Sequence, residues 1–388
     1  MSDPNQPFDL LLTAGRVFCA DTQLDGPGGV AVRGDRIVAS GPEVGGAAIR
    51  SLDYPDCLLL PGLVDMHAHP ARGGSRYGVD PDEHFLPRGV TTCLSQGDAG
   101  ALNWPAYRDE VIDGCQTRVR LALHLSKYGE SQEGHCFEQL DNADVDLCVE
   151  AATSAGEEIW GIAFNTMRNP AITIDPRQIM HRGLEAAEGS RRPVLYGPRF
   201  DGDFPLDEQL PCLRPGDVVT YTFGDLEDNI IAKGRVRSAI WDARARGVLF
   251  DAGHGMRSFS FQIADIAIAE GFFPDTISTD QYNRHVGSDP QHDLPRTMSK
   301  FIAAGMSETE VFARATLRPA ELLGLRSEAG TLAPGACADL AVLRWNQDGR
   351  LRDVNNAERP GGCWEPVATV RAGRLVASNE VQGGSDLP

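Results

Sequence analysis

Two histidines one residue apart close an apolar run, Leu60-Pro61-Gly62-Leu63-Val64-Asp65-Met66-His67-Ala68-His69-Pro70. Side chains at i and i+2 of a strand point to the same side. His67 and His69 can therefore project from one strand end toward a single ion, and imidazole nitrogen is a usual zinc ligand. An ion held that way polarises a carbonyl and lowers the pKa of water, which is the chemistry of hydrolysis. Two imidazoles alone do not make such a centre, so other elements must bring further groups to that strand end.

The chain is long enough for one large domain and a smaller one, at 388 residues with 41% hydrophobic and 23% charged. Its net charge of −19 argues against nucleic acid or an anionic membrane as partner and leaves a small molecule as the expected one. Nearly all basic residues are arginine, the lysines being only Lys127, Lys233 and Lys300. Nine cysteines, odd in number, scattered and without a CxxC pair, predict no disulfide framework and fit a reducing cytoplasm. The polar stretch Met1–Pro7 does not read as a signal peptide, no apolar run approaches a membrane span, and Glu380–Pro388 reads as a loose tail.

Short apolar or alternating runs at both ends predict strands: Phe8–Leu12, Val17–Ala20, Gly29–Arg33, Arg36–Gly41, Cys57–Leu60, Ala338–Arg344, Val367–Arg371 and Arg374–Ala377. They predict a small β-sandwich domain built from residues 1–60 and 326–388. Between them, at 61–325, strands alternate with helices. The strand before His67 is followed by Gly89–Ser95, Arg118–Leu125, Ile159–Phe164, Pro193–Tyr196, Val218–Phe223, Val248–Ala252 and Thr276–Thr279, with helical stretches such as Ala143–Ala155, Gly234–Arg246 and Phe259–Glu270. Eight such units predict an α/β fold of the (β/α)8 barrel type.

Several segments together resemble the amidohydrolase superfamily: Leu12-Thr13-Ala14-Gly15-Arg16-Val17, Pro61–Pro70, Gly89-Val90-Thr91-Thr92, Pro319–Leu325, Gly330–Gly335 and Ala338-Asp339-Leu340. Gly247–Gly255 and Asp275–Asp280 look like its dihydroorotase and D-aminoacylase branch, close to the acyl-hydrolysing members. The resemblance implies metal held by the HxH pair, a carboxylated lysine after the fourth strand, histidines after the fifth and sixth strands, and an aspartate after the eighth. His67, His69 and Asp280 match. The fourth-strand segment Ile159–Asn165 has no lysine and carries Ala163 near the expected place, while Tyr196 and Tyr221 stand where the next two histidines are expected. Without an anionic bridge two close cations repel, so a single divalent ion, zinc, is expected. His124 at the third strand end, or a tyrosine, is a candidate to complete it, and His124 is otherwise expected to contact substrate. Cys93 reads as core, with Asp98 nearer the place of a bridging ligand in some family acylases.

By the same resemblance His254 faces substrate. Arg199, Arg257 and Arg284 lie just past barrel strands, where arginine can clamp a carboxylate. His84, His135, His181, His285 and His292 read as structural. The leading expectation is a hydrolase cleaving a small amide, cyclic amide or acyl ester. Asp280 takes the proton of water, and His254, Tyr196 or Tyr221 meets the oxyanion. Two rivals use the same barrel: a metal-free lyase or isomerase with tyrosine and histidine as acid and base, and a non-catalytic scaffold. Pairing into a homo-oligomer is compatible with such a barrel.

Overall fold

The computed structural model describes residues 6–131, 136–167 and 173–378, so His135, Met1–Asn5 and the tail Glu380–Pro388 lie outside the described residues. The end segments form one seven-stranded sheet, ordered Arg374–Ser378, Cys363–Arg371, Leu340–Asn346, Ala48–Pro61, Phe8–Cys19, Leu24–Arg33 and Arg36–Gly41. The sequence reading expects a sandwich; hydrogen bonding runs continuously through all seven strands. Phe8–Cys19 is a single strand where two are expected, because the register slip between Ala14 and Val17 is a bulge inside it and not a break. Leu12, Val30, Leu59, Leu340 and Val370 lie in its core.

Ala48–Pro61 runs through Gly62 straight into Leu63–Ala68, the first strand of a second, parallel sheet. Six further strands follow in sequence order, Val90–Gly100, Arg118–His124, Ile159–Asn165, Val194–Gly197, Val218–Val219 and Leu249–Phe250. The eighth segment, Thr276–Gln281, is not a regular strand. It closes the ring through two parallel bridges, Asp251 to Thr276 and Ala68 to Gln281. The inward side chains Val64, Met66, Leu94, Ala122, Ala163, Leu195 and Val218 pack with Ala320 and Leu323, so the barrel is filled and not a pore.

The sixth strand is shorter than expected because Tyr221 has a φ of +61°, a conformation no strand continues through. The helix expected from Gly234 begins only at Ser238; Lys233 and Gly234, with φ of +52° and +73°, instead turn a small hairpin between Ile231–Ala232 and Arg235–Val236. The flanking helices Val145–Ser154 and Phe261–Ala269 also stop inside the expected spans. No helix among the described residues is long and apolar enough to cross a membrane.

Candidate metal centre

The barrel closure is what builds the site. Asp65, two residues before His67, accepts from the backbone and the hydroxyl of Thr279, at 3.1 and 2.6 Å. Asp280 N–H then donates to His67 O at 2.7 Å, and His69 N–H donates to Gln281 O at 2.9 Å. The eighth segment is thereby stitched to the first strand, and the Asp280 carboxylate lies against both imidazoles. Asp280 Oδ1 is 3.3 Å from His67 Nε2 and 3.4 Å from His69 Nε2. Ligands bonded to zinc at about 2.0–2.1 Å in a tetrahedron stand about 3.3 Å apart. The two sides that meet at Asp280 have that spacing, and all three ligand atoms lie within 4.8 Å of one another.

The other ring nitrogens fix the tautomers. Thr220 donates its hydroxyl to Asp251 Oδ2 at 2.9 Å, so its oxygen accepts from His67 Nδ1–H at 2.7 Å. His69 Nδ1–H donates to Asp98 Oδ1 at 3.0 Å, and Asp98 is itself held by Ser75 and Ser95, each at 2.6 Å. Both Nε2 atoms are therefore left for the Asp280 side, His69 backed by a carboxylate and His67 by a hydroxyl that itself donates to one, the kind of support usual for metal ligation. Among the missed residues, Thr220 and Asp251 lie at strand ends, where barrel sites are built; that was the signal available for them.

The local field favours positive charge. Burial drives His67 and His69 toward the neutral form, but Asp280 and Asp251 raise His67 to about 9, and Asp98 with Asp280 raise His69 to about 10. Burial also pushes Asp280 up, and the two imidazoles outweigh it and bring it to about 2. A cation entering here replaces those protons. The donor set and its fixed tautomers thus fit a divalent ion.

A second group, His124, Glu130 and Cys136, also brings ligand-type atoms together. Its histidine has the wrong tautomer: Ser126 N–H donates to His124 Nδ1 at 2.9 Å, so the proton lies on Nε2, which faces Glu130 Oε1 at 3.7 Å. A metal at Nε2 would need that proton moved to a nitrogen already facing an N–H. The structure does not bring His124 to the triangle.

The triangle opens into a cavity of about 250 Å³ whose lining includes Gln96, Glu130, Asn165, Tyr221, Arg257 and Tyr282. The Tyr221 hydroxyl is 3.4 Å from His67 Nε2. Burial, with Asp280 and Glu130 nearby, raises this phenol well above its ordinary pKa, which keeps it a donor and not a phenolate ligand. Both Tyr221 and Asp280 have positive φ, +61° and +48°, strain of the kind held at functional sites.

Other expected residues go elsewhere. Tyr196 is fully buried, with its hydroxyl 2.8 Å from Thr166 Oγ1 and 2.5 Å from Gln209 Oε1, and it does not line the cavity. Arg199 is committed to Asp203 through two bonds of 2.9 and 2.7 Å. Arg284 is exposed and outside the lining; Arg257 is the one of the three arginines at the mouth. His254 faces away: its Nδ1–H donates to Gly255 O at 2.7 Å and its Nε2 meets Lys300 Nζ at 2.6 Å. Its flanking glycines serve close contact within the fold. A Cβ on Gly253 would meet Thr220 Oγ1 at 2.0 Å, and one on Gly255, at φ +47°, would meet Asp280 Oδ2 at 2.3 Å. Gly255→Ala is expected to displace the carboxylate and lower kcat/KM by about 10²-fold. Steady-state kinetics beside an unchanged far-UV spectrum checks this.

A (β/α)8 barrel with an HxH pair and an eighth-segment aspartate at the C-terminal mouth defines a class of enzymes built around a metal-type centre. Residues 260–374 match the model of the Amidohydrolase family. A deacetylase of Agrobacterium fabrum is 31% identical over 370 residues, covering 92% of this chain and 87% of that protein. Crystal structures of an adenine deaminase and of a dihydroorotase superpose with TM-scores of 0.85 and 0.83, each at 27% identity. They cover 96% of this chain and 100% and 99% of theirs. The chain belongs to the amidohydrolase superfamily. It is an enzyme of the amidohydrolase type, a class acting on non-peptide C–N bonds.

Proposed function

We propose that the enzyme is a hydrolase of small amides, cyclic amides or acyl esters that uses one divalent ion, zinc, held by His67, His69 and Asp280. The observation that carries this reading is one carboxylate oxygen 3.3–3.4 Å from each of two imidazole Nε2 atoms, all three within 4.8 Å of one another, with both tautomers set from behind. When bound, the ion supplies Lewis acidity toward a carbonyl and toward water. Asp280 receives the proton of the attacking water and delivers it to the leaving nitrogen or oxygen. The Tyr221 phenol donates to the oxyanion. Gln96 is buried with its Nε2 unpartnered and lines the cavity, so it donates to a substrate acceptor. Arg257 at the mouth pairs with an acidic group on the substrate. A deacetylase among the relatives supports acyl removal.

The second reading, acid-base chemistry through Tyr196 and Tyr221 without metal, loses support because Tyr196 is sealed in the wall. Protein purified without chelator is expected to carry about one equivalent of zinc and to release acid from some member of a panel of small N-acyl compounds, cyclic amides and acyl esters. Metal-free protein that turns over such a panel at full rate would overturn the proposal.

A further inference from the structure

A second cavity, of about 210 Å³, shares Met256 with the first and is bounded by His254 and Gly255. Its wall presents donors whose directions are fixed by the fold. Tyr282 N–H donates to His285 Nδ1 at 3.1 Å, so the ring proton is on Nε2. His285 is 7% exposed, and that Nε2 has no partner. Lys300 is 5% exposed. Its ammonium makes one hydrogen bond among the described residues, to His254 Nε2 at 2.6 Å, and no carboxylate among them lies within ion-pair distance. The cation also lies 5.7 Å from the Phe259 ring centroid, and its N–H groups other than the one on His254 have no hydrogen-bond acceptor among the described residues.

Asp353 and Asp293 favour this ammonium only from beyond ion-pair distance, while burial, Arg296 and Arg352 oppose it. Asp353 is on the wall, but its carboxylate already accepts from the backbone N–H groups of Phe261, Asn355 and Ala357 at 2.8–2.9 Å. Arg296, also on the wall, sends its terminal nitrogens to Arg350 O and Glu365, and its Nε is buried without a partner. Burial, with Arg296 nearby, lowers Lys300 to about 7, and burial lowers His285 to about 4. A buried ammonium, a neutral imidazole N–H and a guanidinium Nε thus line one small cavity with their hydrogen-bonding capacity incompletely used. Leaving such donors unmatched is costly, and an oxyanion matches them through charge-assisted bonds.

We infer that this cavity is a binding site for a small oxyanion of the carboxylate or phosphate kind, gripped by Lys300 Nζ and His285 Nε2. The inference does not depend on the hydrolase reading, because none of these groups belongs to the triangle. The test is isothermal titration of the full chain with sodium acetate and, separately, with inorganic phosphate, at ionic strength matched with chloride. At least one anion is expected to bind saturably at one site. The tighter of the two names its source, a carboxylate or a phosphate.

Lys300→Met and, independently, His285→Phe are expected to weaken that binding about tenfold or more, each judged only on protein that retains its thermal transition. Asp280→Asn is expected to leave it intact. Absence of saturable binding for both anions overturns the inference. So do unchanged affinities in both cavity variants, and so does loss of binding in Asp280→Asn, which would assign the anion to the metal centre.

Discussion

His69→Ala is expected to strip the metal centre and abolish useful turnover. Of the three ligand atoms, His69 Nε2 is one corner, and its loss leaves one imidazole and one carboxylate. Two ligands do not hold zinc against buffer and water, since a catalytic site normally supplies three. Metal content should fall from about one equivalent to roughly a tenth or less, and kcat/KM by about 10³-fold or more. The fold should survive, because His69 sits at the mouth and its backbone bond to Gln281 O is untouched by the change. Elemental analysis paired with kinetics on the same sample reads both effects. Full turnover in a metal-free His69→Ala protein would remove the ion from the mechanism.

Asp280→Asn separates proton transfer from architecture. Asparagine has nearly the same shape and tolerates the positive φ of +48° at this position. The backbone bond from residue 280 to His67 O also remains. What disappears is the negative charge and the ability to carry a proton between water and leaving group. A fall in kcat/KM of about 10²–10⁴-fold is expected, with the far-UV spectrum and thermal transition little changed. The loss of charge also weakens the hold on the ion, so the assay is run at saturating zinc to isolate the chemical role. Activity within a few-fold of the parent at saturating zinc would show that another group carries the proton.

Much of the site was legible because its signals are local. The HxH spacing reports a shared face through strand geometry alone. Asp280 is legible through the resemblance of Asp275-Thr276-Ile277-Ser278-Thr279-Asp280 to the family, and not through any property of the carboxylate. The barrel was legible from alternation of strand and helix, and the end domain from strand-rich termini joined in one sheet. Tyr196 and Tyr221 occupied equivalent places in the sequence pattern, yet one is sealed against Gln209 and the other opens to the cavity. The difference is a backbone turn at Tyr221, which no side-chain pattern reports. His285 and Lys300 carried no spacing to mark them; a one-turn helix at Asn283–His285 and a longer one at Leu294–Ala303 bring both to one wall.

By itself the sequence carried the class of fold and the two imidazoles of the first strand, since periodicity and spacing are written in neighbouring residues, and it offered Asp280 through the resemblance of Asp275–Asp280 to the family. The tertiary structure decided which nitrogen of each histidine carries its proton, because that depends on Thr220 and Asp98, brought up from other strands. It also turned His254 away from the cavity and toward a lysine 46 residues later in the chain. Hydrogen-bond direction between distant residues exists only once the barrel has closed, and the chemistry of this site rests on those directions.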